Sequence, residues 1–291
     1  MLTRRDFAKL SLIPLIGTAG AAAAEGGLGS LGAALAKIET ESGGRLGVAV
    51  LDAGSGTLTG HRIDERFPMC STFKALAAAA ILVRVDAGKE QLSRRIRVEQ
   101  KDILAYAPVT KQHVGEDMSV AELCDAAVTL SDNTAANLLL ASMGGPSSIT
   151  ELARSIGDDL TRLDRIEVEL NEGTPGDPRD TTTPAAMARN LKALTLGTVL
   201  SAASRDQLIA WLVGCKTGDA KIRAGLPKGW RVGDKTGNGG HGSSNDVAVI
   251  WPEGRAPVIV ASYLTETTGT DDQRNAAHAA VGRAVAAAIG S

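Results

Sequence analysis

The stretch CKTGDAKIRAGLPKGWRVGDKTGNGG, residues 215–240, marks the point at which the character of the chain changes from helix to strand. The Ala- and Leu-rich segment before it has helical spacing, whereas GWRVGDKTG, SNDVAVIWP and APVIVASYLTE predict three strands. The stretch contains Lys-Thr-Gly twice. The first copy, 216–218, indicates a helix end and a loop. The second copy, 235–237, ends a predicted strand, where an ammonium and a hydroxyl on a rigid element could hold a carboxylate.

The two ends of the chain predict one sheet, and the middle predicts helices. Residues 28–42 have a helical pattern, RLGVAVLDAGSGTLTGHRID predicts a hairpin about the turn at 54–56, and 272–289 predict a closing helix. Between them we find no strand run, only helical segments at 71–87, 119–130, 132–142, 146–156, 183–195 and 204–213. We therefore predict an α/β (α+β) fold in which 25–69 and 216–291 form a sheet domain and 70–215 form an all-helical domain. The active site is expected in the cleft between them.

The composition excludes several classes of function. The chain has 291 residues, a net charge of −2 and 3% aromatic residues, which provide neither the basic patch nor the stacking platform of a nucleic-acid-binding protein. Four scattered histidines and three cysteines without CxxC spacing argue against a metal site, another cofactor or a structural disulfide. We expect a monomer whose partner is a small molecule.

The N-terminus has the pattern of an export signal. Residues 1–24 run from a basic start through a modest apolar stretch to Ala22-Ala23-Ala24, and Arg4-Arg5 resembles the twin-arginine signal. A general secretory signal that happens to contain two arginines is the alternative. The apolar run contains Pro14 and falls short of the roughly 20 residues that a membrane anchor needs. We expect a mature chain that begins near Glu25 and is periplasmic or secreted.

Three short motifs carry candidate catalytic groups. Ser71 and Lys74 stand three residues apart at the start of an Ala-rich helix, so both face one side and Ser71 lies at the positive helix end. This spacing suits a serine nucleophile beside a lysine that takes its proton, and equally an N-cap followed by a helical lysine. Ser131-Asp132-Asn133 opens another helix and also suits an N-cap. The charged loop at 162–180 is long enough to indicate function rather than a solvated connector.

In chain order, Ser71-x-x-Lys74, Ser131-Asp132-Asn133 and Lys235-Thr236-Gly237 resemble the motifs of class A serine β-lactamases and penicillin-binding proteins. Arg165-x-Glu167-x-x-Leu170-Asn171, followed by Arg179-Asp180-Thr181, resembles the class A Ω-loop, here 162–180. The resemblance covers residues 28–289 and implies an antiparallel five-stranded sheet flanked by N- and C-terminal helices. It also implies hydrolysis of penicillins and cephalosporins, and so β-lactam resistance. A penicillin-binding D,D-peptidase or an acylated sensor, either of which would deacylate slowly, is the alternative.

The resemblance assigns a role to each matched catalytic residue. Ser71 corresponds to the nucleophile, and Lys74 and Glu167 to the groups that accept its proton, with the choice between them open in the family. Ser131 is expected to pass a proton to the leaving nitrogen. Glu167 is expected to activate the water that deacylates the enzyme, and the N–H groups of Ser71 and Asn238 are expected to polarise the ring carbonyl. The substrate-binding residues that the resemblance implies are Tyr106, Asn133, Asn171, Lys235, Thr236, Gly237 and Asn238.

Among these, Asn133 is expected to bind the substrate's side-chain amide. Lys235 and Thr236 are expected to bind the substrate's carboxylate, and Tyr106 is expected to form an aromatic wall of the cleft. Glu167 and Asn171 are expected to hold the water together. Arg165 and Asp180 are expected to pair across the neck of the Ω-loop.

Three departures from the family pattern stand out. Ser244 occupies a position where many members have an arginine that binds the substrate carboxylate, and either Lys221 or Arg274 could substitute for it. Ile166 and Val168 replace a common Trp and Pro. Cys70 precedes the nucleophile as in many members, but its usual disulfide partner position holds Gly239, so that bridge cannot form.

Overall fold

The structure, a computed structural model, describes residues 19–290. Most of the predicted export signal, 1–18, lies outside the described residues. The helices are α1 Ala19–Ser42, α2 Phe73–Asp86, α3 Val120–Thr129, α4 Asn133–Ser142, α5 Ser147–Ser155, α6 Pro184–Thr195, α7 Ala202–Val213 and α8 Asp271–Ile289. The strands are β1 Arg45–Asp52, β2 Leu58–His61, β3 Phe67–Pro68, β4 Arg95–Arg97, β5 Asp117–Ser119, β6 Thr181–Thr182, β7 Arg231–Asn238, β8 Ser244–Trp251 and β9 Val258–Thr265.

The main sheet confirms the predicted five-stranded antiparallel arrangement. Its order is β2-β1-β9-β8-β7, so the hairpin near the N-terminus pairs with strands from the end of the chain. Strand β7, which carries the second Lys-Thr-Gly, is an edge strand paired with β8 in a register that sets Thr236 opposite Asp246. The edge of the sheet therefore presents Lys235 and Thr236 next to the helices.

Alternating side chains of the sheet bury two cores. Val247 and Val249 of β8 join the larger core, which includes Leu76 of α2 and Leu139 of α4. Their neighbour Ile250 packs on the opposite face, in a second core that includes residues of α1 and α8. Because successive side chains of a strand point to opposite faces, the sheet packs against helices on both sides and buries apolar residues on each.

The middle of the chain is less purely helical than predicted. Strands β4 and β5 pair with each other there, and β6 pairs with β3 just before it, so the expectation of no strand between 71 and 213 is wrong. These strands are only two or three residues long, which is too short for an alternating pattern to be visible in sequence. The division of the chain into two domains stays a prediction.

Candidate active site

The residue before Ser71 has an unusual backbone conformation. Ser71 lies in a 3₁₀ turn, Cys70–Thr72, immediately before α2, and Cys70 has a φ of 45°, in the left-handed region. Asn245 of β8 donates to the carbonyl oxygens of Pro68 and Met69 at 2.9 and 3.0 Å. The buried amide of Asn245 therefore ties the turn to the sheet, which the sequence did not predict.

Ser71 and Lys74 meet at one carboxylate oxygen. The Ser71 hydroxyl donates to Glu167 Oε1 at 3.1 Å, and Lys74 Nζ lies 2.9 Å from the same atom. Lys74 also donates to Ser131 O at 2.9 Å and to Asn133 Oδ1 at 2.6 Å. Burial lowers the pKa of Lys74, and the charge of Glu167 opposes that shift. The first two motifs and the Ω-loop thus converge on a single lysine.

Glu167 is held from both its side chain and its backbone. Asn171 Nδ2 donates to Oε2 of the carboxylate. Asn137 of α4 donates to the Glu167 carbonyl at 2.8 Å and accepts from its N–H at 2.9 Å. Asn137 was not predicted; its position one helical turn after Asn133 is the only sequence signal for it. The backbone on both sides of Glu167 is therefore fixed relative to the helix that carries Asn133.

The neck of the Ω-loop is closed as expected. Arg165 Nε pairs with Asp180 Oδ2 at 2.6 Å, and Asp180 Oδ1 accepts from the N–H groups of Asp164 and Arg165 at 2.8 and 2.9 Å. Ile166 and Val168, on either side of Glu167, are 45% and 49% exposed. The loop therefore turns its carboxylate inward and leaves two apolar side chains at the surface.

Ser131 lies between two buried lysines. Its hydroxyl accepts from Lys235 Nζ at 3.0 Å and is 3.4 Å from Lys74 Nζ. Burial lowers the pKa of Lys235 to about 8, with the positive charge of Lys74 acting in the same direction. Two ammonium groups are therefore in contact with one hydroxyl.

Asp132 accepts hydrogen bonds from backbone N–H groups of its own helix and of a neighbouring segment. It caps α4 by accepting from the N–H of Ala135 at 2.9 Å, and it also accepts from the N–H groups of Val109 and Thr110 at 3.0 and 2.9 Å. The N-cap interpretation of this motif is confirmed for Asp132. Asn133 N–H donates to the carbonyl of Tyr106 at 3.0 Å, and Tyr106 is 51% exposed.

Close backbone approach requires glycine in β7. A Cβ added to Gly237 would lie 2.9 Å from Met69 O and 3.1 Å from Ser71 N, so only glycine lets the strand lie against the nucleophile's turn without displacement. Asn238 follows at the exposed end of the strand. A Cβ at Gly239 would lie 2.7 Å from the Cys70 sulfur. Cys70, Cys124 and Cys215 are all buried and free.

The first Lys-Thr-Gly copy is part of this site, so its interpretation as only a helix end and loop is incomplete. The N–H of Lys216 donates to Thr129 O at 2.9 Å, as in a structural loop. The hydroxyls of Thr217 and Thr236 are 2.5 Å apart. The two copies therefore meet through their threonines, a contact between loop and strand that spacing alone does not predict.

Of the two cations considered for Ser244, only Lys221 contacts it. Lys221 Nζ donates to Ser244 Oγ at 2.5 Å and the residue is 3% exposed. Arg274 instead donates to Gly269 O at 2.6 Å and pairs with Asp271. Burial lowers the pKa of Lys221.

Residues 19–290 contain neither a metal site nor a helix able to cross a membrane. No group of His, Cys, Asp and Glu side chains in this range is arranged as a metal site. No helix in this range combines the length and the apolar character needed to span a membrane.

Comparison with known proteins gives the family. A sequence model of the β-lactamase enzyme family matches residues 30–289. The chain is 51% identical to β-lactamase CTX-M-8 of Citrobacter amalonaticus over 251 residues, 86% of each chain. It is also 51% identical to β-lactamase L2 of Stenotrophomonas maltophilia over 256 residues, 88% of this chain and 84% of the relative.

Solved structures agree with the sequence comparisons. One solved structure is the class A β-lactamase of the last common ancestor of Gram-negative bacteria. It is 62% identical to this chain, with a TM-score of 0.89, and the match covers 90% of this chain and 100% of the ancestral one. The putative class A β-lactamase PenP of Rhodopseudomonas palustris is 60% identical, with a TM-score of 0.87 over 88% and 98%. The chain belongs to the β-lactamase family, and within it to class A.

The position of Asn245 predicts a strong effect on stability. Asn245→Ala removes both donors to the 68–69 carbonyls, and we expect it to lower the free energy of unfolding by about 1–3 kcal/mol, measured by urea denaturation. Asn245→Asp has the same shape but turns an oxygen toward those carbonyls, so it should be at least as destabilising. If Asn245→Asp is as stable as the parent, the amide does not hold this turn.

Proposed function

We propose that this class A β-lactamase hydrolyses the β-lactam amide of penicillins and cephalosporins through a Ser71 acyl-enzyme. The observation that carries the proposal is the contact of Ser71 Oγ and Lys74 Nζ with one oxygen of Glu167, at 3.1 and 2.9 Å. A nucleophile in contact with a buried base is what covalent catalysis needs. Its effect in a bacterium would be β-lactam resistance.

In acylation, Ser71 Oγ attacks the ring carbonyl as its proton leaves. Either Glu167 Oε1 as a carboxylate or Lys74 Nζ as a neutral amine accepts this proton, and the 2.9 Å contact lets a proton pass between them. The backbone N–H groups of Ser71 and Asn238 receive the developing negative charge; loss of one such donor costs about 10²–10³-fold in rate. Ser131, bonded to Lys235, then delivers its hydroxyl proton to the ring nitrogen and takes back the proton that Ser71 gave up, through Lys74 Nζ 3.4 Å away. The C–N bond breaks and the acyl group stays on Ser71.

In deacylation, Glu167 and Asn171 hold the attacking water. Glu167 takes a proton from this water, which attacks the ester carbon, and the proton returns to Ser71 Oγ as the product leaves. Support comes from the Asn171 amide, which donates to the carboxylate oxygen that does not contact Ser71. General-base assistance of this kind typically contributes about 10²–10⁴-fold.

Substrate binding uses the rim of the same site. Lys235 and Thr236 bind the substrate carboxylate, and Gly237 keeps their strand close to Ser71. Asn133 Oδ1 accepts from Lys74, which directs its Nδ2 as a donor to the substrate's side-chain amide. Tyr106, with its exposed ring, forms the opposite wall of the cleft.

We also propose that the enzyme is an exported monomer without a membrane anchor. The sequence pattern of residues 1–24 supports the twin-arginine route, with a periplasmic or secreted mature chain from about Glu25. In that chain, 25–69 and 216–291 would form the sheet domain, and 70–215 the helical domain with the Ω-loop at 162–180.

Replacement of Glu167 tests the mechanism. Glu167→Ala should still be acylated by benzylpenicillin, because burial lowers the pKa of Lys74 and loss of the Glu167 charge lowers it further, so a neutral Lys74 can take the Ser71 proton. It should deacylate at least about 10²-fold more slowly than the parent. Intact mass measured during the reaction should show a persistent adduct. Glu169→Ala is the matched control, since Glu169 lies two residues away with an exposed side chain. Full turnover by Glu167→Ala would contradict the role of Glu167.

The pKa of Lys235, about 8, predicts a pH effect on binding. This cation is present below about pH 8 and loses its proton as the pH rises, so the attraction for a substrate carboxylate disappears at higher pH. We expect KM for benzylpenicillin to rise several-fold between pH 7 and pH 9.5. The methyl ester of the same penicillin, which has no carboxylate charge, should show a flat KM. Equal rises for acid and ester would rule out Lys235 as the carboxylate's partner.

A further inference from the structure

We propose that Thr217 is a positioning residue for substrate recognition, which sets the hydroxyl of Thr236 as a donor to the substrate carboxylate. The inference rests on the proposed function, because it concerns the same carboxylate. The first Lys-Thr-Gly copy would thus act on the substrate indirectly, through the threonine of the second copy.

The geometry brings three polar side chains into a row. Thr217 Oγ1 is 2.5 Å from Thr236 Oγ1 and 3.4 Å from Cys215 Sγ. Thr236 and Cys215 are 2% and 3% exposed, whereas Thr217 is half-buried at the edge of the site. The bond from Lys216 N–H to Thr129 O fixes the loop, and β-sheet pairing with β8 fixes Thr236. The contact is therefore between two rigid segments.

Hydrogen counting gives the row its direction. Each hydroxyl has one hydrogen, so only one of the two threonines can donate across their contact. A carboxylate has no hydrogen to give, and Thr236 must use its own hydrogen to bind one. The hydrogen between the threonines then comes from Thr217. Without the Thr217 hydroxyl, Thr236 Oγ1 no longer accepts this hydrogen bond. The direction in which the Thr236 O–H group points is then no longer fixed.

Cys215 lies at the other end of the row. Burial and the negative charge of Asp234 raise the pKa of its thiol, so it keeps its hydrogen. A thiol is a weak donor, and Thr217 Oγ1 is within its reach. Hydrogen bonds in such a chain polarise one another, by about 10–30% per bond, and the last bond is made to an anion. The row therefore strengthens binding of a charged carboxylate and does little for a neutral group.

This dependence on ligand charge separates a positioning role from a structural one. A threonine that only supports the fold would affect every substrate alike. A threonine that acts through Thr236 on a carboxylate affects KM for charged substrates and leaves kcat and neutral substrates nearly unchanged.

The test compares benzylpenicillin with its methyl ester in Thr217→Val, which keeps the shape of the side chain and removes the hydroxyl. We expect kcat/KM for the acid to fall about 3–10-fold, mainly through KM, as suits loss of one hydrogen bond. The ester should change less than about 2-fold on the same reasoning. Thr217→Ser should restore most of the loss. Thr195→Val, a buried helix-end threonine bonded to Leu191 O, is the control.

Equal losses of kcat/KM for acid and ester, or no loss for either, would overturn the inference. Hydrolysis by the parent would still support the proposed function. If the parent hydrolyses neither compound, the proposed function itself fails. Should Thr217→Val lower the Tm enough to prevent assay, Cys215→Ala provides the second variant. It shortens the row by one donor and should lower kcat/KM for the acid more than for the ester; an equal effect on both would again reject the inference.

Discussion

The buried ion pair between Lys74 and Glu167 is the interaction on which the rest of the site depends. Both side chains are fully buried, and their charged atoms lie 2.9 Å apart. Removal of one partner from such a pair leaves an uncompensated buried charge and typically destabilises a protein by about 3–5 kcal/mol. The exposed pair Arg95–Glu122, at 3.6 Å, contributes at most about 1 kcal/mol. The stronger of these two charge interactions therefore lies at the proposed catalytic residues.

Several neutral amides hold this pair in place. Asn133 accepts from Lys74, Asn171 donates to Glu167, and Asn137 makes two hydrogen bonds to the Glu167 backbone. Asn245 does the same for the turn before Ser71. Amides suit this work because each offers donors and acceptors without a further buried charge. The proposed reactive groups thus come from three separate segments, and asparagines fix the distances between them.

The sequence predicted the sheet and most helices, because strand patterns and helical spacing are local signals. Its motifs also named candidate catalytic residues that the fold brings together, and their roles stay predictions. The hairpin about 54–56 and the pair Arg165–Asp180 both occur as expected. What it could not predict were contacts between segments distant along the chain. The contact of Thr217 with Thr236 depends on how a loop packs against an edge strand. The contact of Lys221 with Ser244 depends on the packing that buries both side chains. Neither arises from spacing.

The most direct test of the account is the number of turnovers that residues 25–291 complete on benzylpenicillin in large excess, followed by ring absorbance together with intact mass. The account predicts many turnovers per enzyme, with the acyl adduct present only while substrate remains. One equivalent consumed with a lasting adduct would show that Glu167 does not drive deacylation and would indicate a penicillin-binding protein or sensor. No adduct and no turnover would contradict the assignment of Ser71 as the nucleophile.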